Sequence, residues 1–140
     1  MQQLRDRADG ISLRSVLPHG RFLGTPDGDI HVSRCQSEVQ AVRPGDLFIA
    51  VVDADSDGHH HVQEAIERGA RAVVAERVLP VSVPCCLVPD TREARGLICQ
   101  QLAGFPHRRL ELIGITGTFG KTVTAMLMAS VLRAARRQTG

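Results

Sequence analysis

"VRPGDLFIAVVDADSDGHHHVQEAIERGARAVVAE", Val42–Glu76, decides how this chain is built. Pro44-Gly45-Asp46 is a turn signal, and the apolar run Leu47–Val52 follows it. A run of that length bounded by turn residues reads as a buried strand. After the polar loop Asp53–Gly58, the residues Val62, Ala65, Ile66 and Gly69 repeat with the i, i+3, i+4, i+7 spacing of one helical face. Gly69 also suits a helix C-terminus. "RAVVAE", Arg71–Glu76, is a second buried strand. Strand, helix and strand in so short a stretch is most simply a right-handed parallel crossover.

Upstream, "ISLRSVLP" (11–18) predicts a short helix stopped by Pro18. "RFLG" (21–24) and "DIHVSR" (29–34) predict short strands separated by the turn "TPDG" (25–28). Downstream, "PCCLVP" (84–89) is a third strand of the crossover region, and "DTREARGLICQQLAGFP" (90–106) is the best-marked helix. Asp90 can cap its N-terminus, with Glu93 three residues on as in a capping box. Ala94, Leu97, Ile98 and Leu102 share one apolar face, Gly104 ends the helix, and Pro106 prevents its continuation. "FPHRR" (105–109) reads as a linker. Beyond it come a strand, "LELIGIT" (110–116), a Gly-rich turn, "GTFGK" (117–121), and a helix from Thr122, expected to be largely buried because few polar residues interrupt it.

The fold class expected is therefore α/β. Residues 1–106 form a small α/β domain, and residues 107–140 form one strand–loop–helix unit, the beginning of a further domain. That unit cannot be a domain alone, because its strand and helix both need partners over their apolar faces. The partner for the last helix is unknown from the sequence.

Composition narrows the function. Of 140 residues, 43% are hydrophobic and 23% charged, which is ordinary for a globular protein with one modest core. A net charge of +2 gives no footprint for nucleic acid, and the aromatic content of 3% is low for base-stacking platforms. "RAARR" (133–137) fits the negative end of a helix. No apolar run reaches the roughly 18 residues of a membrane span, and "MQQLRDRADG" lacks a signal-peptide core, so a cytoplasmic location is expected. Cys35, Cys85, Cys86 and Cys99 form no CxxC pair and no zinc spacing, and Cys85 and Cys86 read as buried strand residues. His59, His60 and His61 are about 100° apart on a helix and do not converge on one ion. His60 and His61 are expected to be exposed at the helix start.

The chemistry lies in "GITGTFGKTVTA", Gly114–Ala125. An apolar strand passing through glycines into a helix N-terminus is an anion site, since backbone N–H groups converge there and the helix dipole adds positive potential. Gly117 and Gly120 let the backbone approach phosphates. Lys121 would neutralise the β- and γ-phosphates, and the Thr122 hydroxyl is placed to ligate magnesium. The strict GxxxxGK[ST] pattern is not met, because its first position falls on Ile115.

With these residues the chain resembles the Mur ligases, whose ATP loop usually reads G-[IV]-T-G-T-N-G-K-T-T. "VRPGDLFIAV", "DGH", "AIERGARAVVAE" and "VPDTREARGLICQQLAGFP" look like the N-terminal substrate domain of the muramyl-tripeptide synthetases, and the likeness runs over residues 11–140. Thr118 matches the T-G-T form of that type; the dipeptide-adding ligases usually have T-G-S. The resemblance implies a small Mur-ligase N-terminal α/β domain followed by the first strand–P-loop–helix of a P-loop ATPase domain. It implies ATP-dependent amide formation: a carboxylate of UDP-N-acetylmuramoyl-dipeptide is phosphorylated and the acyl phosphate is attacked by the amine of an amino acid. On this resemblance Gly117, Thr118, Phe119, Gly120, Lys121, Thr122 and Val123 bind ATP, with Thr122 on Mg2+, and Val39, Ala54, Asp55 and Ser56 face the UDP part.

Further magnesium ligands and the amino-acid site of the family would lie beyond Gly140, so 140 residues alone are not expected to catalyse ligation. Six positions, in four places, depart from the family pattern. Glu38-Val39-Gln40 stands where D-S-R is usual, Asp53 where Gly is common, Phe119 where Asn is usual, and Val123 where Thr is usual. Asp53, Asp55 and Asp57 read as a solvated loop. A non-catalytic, degenerate Mur-like binding module, a fragment of the dipeptide-adding ligase and an unrelated P-loop protein remain alternatives at this point.

Overall fold

The computed structural model describes residues 10–25 and 28–139. Met1–Asp9, which includes most of the stretch without a signal-peptide core, and Pro26–Asp27 of the expected turn lie outside the described residues. The chain divides into two compact units, Met1–Pro106 and His107–Gly140.

In the first unit, β1 (Ile11–Ser12), α1 (Leu13–Val16), β2 (Arg21–Leu23), β3 (His31–Val32) and β4 (Cys35–Gln36) precede β5 (Leu47–Ile49). After it come α2 (Val62–Glu67), β6 (Ala72–Ala75), β7 (Cys85–Leu87) and α3 (Thr91–Leu102). Five strands form one sheet in the order β2-β7-β6-β5-β4. β4, β5, β6 and β7 run parallel, with Phe48 opposite Val73 and Val74 opposite Cys86. The strand–helix–strand reading of Val42–Glu76 is thus a parallel β5–α2–β6 unit. The two upstream strands part company: β2 joins the sheet antiparallel to β7, whereas β3 pairs with β1 in a separate two-stranded ribbon.

Side chains alternate across the sheet, as the period of two along a strand requires. Leu47, Ile49, Val51, Ala72, Val74 and Cys86 face one way and pack with Leu13 and Leu17 near α1 and with Ala94 and Ile98 of α3. Phe48, Ala50, Val73, Ala75 and Cys85 face the other way, against Val62 and Ala65 of α2. Leu47, Phe48 and Ile49 are completely buried, so each contributes roughly 1.5–3 kcal/mol. Covering both faces explains why β5 and β6 are continuously apolar rather than alternating. Leu97, expected on the buried face of α3, is 41% exposed instead, at the margin of its buried stripe.

The cap on α3 forms as half of the expected box. The Asp90 carboxylate accepts from the Arg92 and Glu93 N–H groups at 2.7 and 3.1 Å. At the other end, the Gly104 N–H donates to the Gln101 carbonyl, and Gly104 has a φ of 73°.

A 3-10 turn, Pro106–Arg109, begins at the last residue of the first unit, where a plain linker was expected, and the second unit contains a helix, α4 (Lys121–Ala134). Two expectations fail there. "LELIGIT" forms no strand, because a strand is defined by its ladder and no described residue pairs with this segment. The helix is not largely buried: Val123, Met126, Leu127 and Val131 are all more than half exposed. Its apolar residues surround the helix, and one short unit has no second layer to cover them.

Candidate functional site

The first site region is the carboxyl end of the parallel strands, where open α/β sheets hold ligands. β5 continues through Ala50 and Val51 into the loop Asp53–Asp57. That loop is closed by an Asp53 N–H to Ser56 carbonyl bond of 2.8 Å and by a bridge between Val52 and Asp57. With Val52, His60 and His61 it lines an open cleft of about 490 Å³. Gly58 brings the loop back onto β5: its N–H donates to the Val51 carbonyl at 2.9 Å. A Cβ at Gly58 would stand 2.8 Å from the Val51 nitrogen and oxygen, so only glycine fits that approach.

His59 anchors this loop. It is 6% exposed, and both ring nitrogens are engaged. Nε2 accepts from the Glu76 N–H at 3.0 Å, which places the ring proton on Nδ1, 2.6 Å from the Asp57 Oδ1. Asp57 also accepts from the His59 N–H at 2.9 Å and pairs with Arg77 at 2.9 Å. The His59 N–H, with the His59 ring and the Arg77 guanidinium, holds the Asp57 carboxyl well below the usual carboxylate range despite the opposing cost of desolvation. Asp57 is therefore a bonded member of the fold, not a free charge of a solvated loop; Asp53 and Asp55 remain exposed. The neighbouring Glu76 carboxylate accepts from the Thr91 N–H and hydroxyl at 2.9 and 2.7 Å, which lowers its pKa in turn. The chain from Asp57 through His59, Glu76 and Thr91 ties the cleft loop to the start of α3.

Of the residues assigned to UDP, the structure brings Ala54, Asp55 and Ser56 together on the cleft and leaves Val39 out of it. Val39 is 4% exposed and packs with Val42 and Phe48 below the sheet. Its side chain fills the core, where an apolar group leaves no hydrogen bond unmet. Sequence reasoning missed the roles of His59, Glu76, Arg77 and Thr91. The "DGH" turn and the two charged residues directly after β6 were the available signal. His60 and His61 are exposed, and among the described residues no group of His, Cys, Asp or Glu is arranged to hold a metal.

The second region is Gly117–Val123. Gly117 and Gly120 have φ values of 152° and 78°, both in the region that favours glycine. Gly120 is the N-cap of α4, no side chain caps the helix, and no other atom comes within 4 Å of where a Gly120 Cβ would stand. The Lys121 ammonium folds back onto the Gly117 carbonyl at 2.5 Å, across the loop. Uncapped N–H groups, one ammonium and the adjacent Thr122 hydroxyl are the donor set a phosphate chain and its cation require. Phe119 is 93% exposed at the tip.

No family profile matches the chain. Individual relatives do. It is 42% identical over 117 residues to the UDP-N-acetylmuramoyl-L-alanyl-D-glutamate–2,6-diaminopimelate ligase of Geobacillus thermodenitrificans, covering 84% of this chain and 23% of that protein. It is 46% identical over 99 residues to the ligase of the same name from Aquifex aeolicus, covering 71% of this chain and 20% of the relative. The chain thus spans less than a quarter of the length of these two relatives.

Among solved structures, the UDP-N-acetylmuramoylalanyl-D-glutamyl-2,6-diaminopimelate–D-alanyl-D-alanyl ligase of Acinetobacter baumannii matches with a TM-score of 0.62 at 25% identity, over 87% of this chain and 27% of that one. The MurF ligase of Thermotoga maritima, solved in complex with ADP, matches with a TM-score of 0.51 at 30% identity, over 72% of this chain and 23% of that one. The α/β unit with its parallel sheet has the architecture of the Mur-ligase N-terminal region. From the loop Gly117–Val123, the "DGH" turn and these relatives together, the chain belongs to the Mur ligase family, on its muramyl-tripeptide synthetase branch.

Proposed function

We propose that this chain supplies the UDP-substrate domain and the ATP loop of a ligase that adds the third amino acid to UDP-N-acetylmuramoyl-dipeptide. The observation that carries the proposal is the uncapped start of α4, with Lys121 and Thr122 directly after a glycine of positive φ. The ADP complex of the Thermotoga maritima neighbour and the names of the relatives support it. The relatives' names point to 2,6-diaminopimelate as the incoming amino acid.

In this reading residues 1–106 are the substrate domain and residues 107–140 open the ATP-binding domain. ATP supplies the phosphoryl group that activates the substrate carboxylate. The N–H groups of Gly117–Val123 would hold its phosphates, Lys121, now on the Gly117 carbonyl, would neutralise them, and Thr122 would hold Mg2+. The cleft beside Ala54, Asp55 and Ser56 holds the uridine end, with Arg77 offsetting the charge of Asp57. Such an enzyme acts in the cytoplasm, where its nucleotide substrates are; no helix among the described residues is long and apolar enough to cross a membrane.

The test replaces the matched segment of the Geobacillus thermodenitrificans ligase with this chain and measures ATP-dependent ligation. Activity that Lys121→Ala abolishes is the expected result. A folded hybrid that stays inactive, and is not rescued by Phe119→Asn, would instead support the second reading, a degenerate binding module. The burial of Val39 at a position where the family has a polar residue is the observation favouring that alternative.

A further inference from the structure

Cys35 in β4 and Cys99 in α3 are separated by 64 positions in sequence, yet their Sγ atoms lie 3.7 Å apart. Neither is used by the cleft or the phosphate loop. Cys35 faces the sheet side covered by α3, packed against the core of Leu47 and Ile98. Cys99 is exposed one position after the buried Ile98. The contact joins the edge strand of the sheet to the helix over it, and Cys35 lies opposite Leu47, at the start of β5 and away from its cleft end.

We propose that Cys35 and Cys99 are an oxidation site, closed to an intramolecular disulfide by a low-molecular-weight disulfide. The Cys99 thiolate attacks the small disulfide, forming a mixed disulfide and expelling one small thiolate. Cys35 then gives up its proton to solvent and attacks the Cys99 sulfur, expelling the second small thiolate. Two protein thiols are oxidised and one small disulfide is reduced to two thiols. Accessibility sets the order of attack, since the exposed sulfur meets the reagent first. Burial, reinforced by the neighbouring Cys99, pushes the Cys35 thiol up to about 12, which keeps it from attacking first; in the second, intramolecular step proximity offsets its scarce thiolate. A disulfide needs its sulfurs about 2.05 Å apart, so side-chain rotation must close the remaining gap. Cys85 and Cys86 are buried in β7, and burial raises both thiols, so they stay outside the reaction in the folded chain.

The test treats the reduced 140-residue chain with oxidised glutathione, quenches with acid, alkylates free thiols under denaturing conditions and maps the peptides. A Cys35–Cys99 link in monomeric chain, with Cys85 and Cys86 alkylated and the link reversed by dithiothreitol, is expected. Cys35→Ser should trap glutathione on Cys99, and Cys99→Ser should remove the reaction. Glutathione remaining on Cys99 of the unaltered chain, a link between two chains, or a link involving Cys85 or Cys86 would overturn the proposal.

Discussion

Replacing His59 by alanine tests the anchor of the cleft loop directly. The substitution removes the 2.6 Å contact with Asp57 and leaves the Glu76 N–H without the acceptor it now has at 3.0 Å. Both bonds are part-buried, so each loss costs about 1 kcal/mol, and the lost ring packing adds about 1 more, for a total of about 3 kcal/mol. On a unit of this size that lowers Tm by about 12–24 °C. Thermal unfolding followed by far-ultraviolet circular dichroism measures it, with His60→Ala and His61→Ala as controls. Both controls are exposed and should stay within about 0.5 kcal/mol of the unaltered chain. His59→Gln should recover part of the loss, because its amide oxygen can accept from the Glu76 N–H. If His59→Ala is no more damaging than His60→Ala, the two ring bonds do not hold the loop and the reasoning fails.

Other consequences can be checked independently. Asp57 and Glu76 have folded pKa values below their unfolded ones, so the unfolded chain takes up protons first as pH falls. Their contribution is present above about pH 4, the unfolded carboxylate range, and is lost below it. Denaturation midpoints from pH 7 to pH 3 should fall at the acid end, and less so in Asp57→Asn. Gly58→Ala forces a Cβ onto the Val51 backbone and should cost more than 1 kcal/mol in urea unfolding, whereas Gly96→Ala, with open space around it, should not destabilise. In the hybrid ligase, Phe119→Asn should tighten ATP binding measured by titration calorimetry; equal affinity would mean that the exposed ring is neutral to the nucleotide.

The parallel β5–α2–β6 unit was legible because its signals are local: an apolar run between turn residues, one helical face and a glycine at its end. The same holds for α3, whose cap needs only Asp90 and the two N–H groups beyond it. The strand expected at Leu110–Thr116 was not reliable for the opposite reason. Apolar sequence favours an extended chain, but a strand exists only when another backbone satisfies its N–H and C=O groups.

By itself, the sequence determined the α/β class, the order of the main elements from β5 to α3, the buried identity of Leu47–Ile49 and of the Cys85–Cys86 pair, and the glycine-framed approach to Lys121 and Thr122. Each follows from residue type and spacing over a few positions. Only the tertiary structure decided that Val39 belongs to the core rather than the cleft, that Asp57 is held by His59 and Arg77, and that Cys35 meets Cys99. Those outcomes depend on which distant residues the sheet order and the overlying helices bring within a few ångströms, and no local pattern encodes that distance.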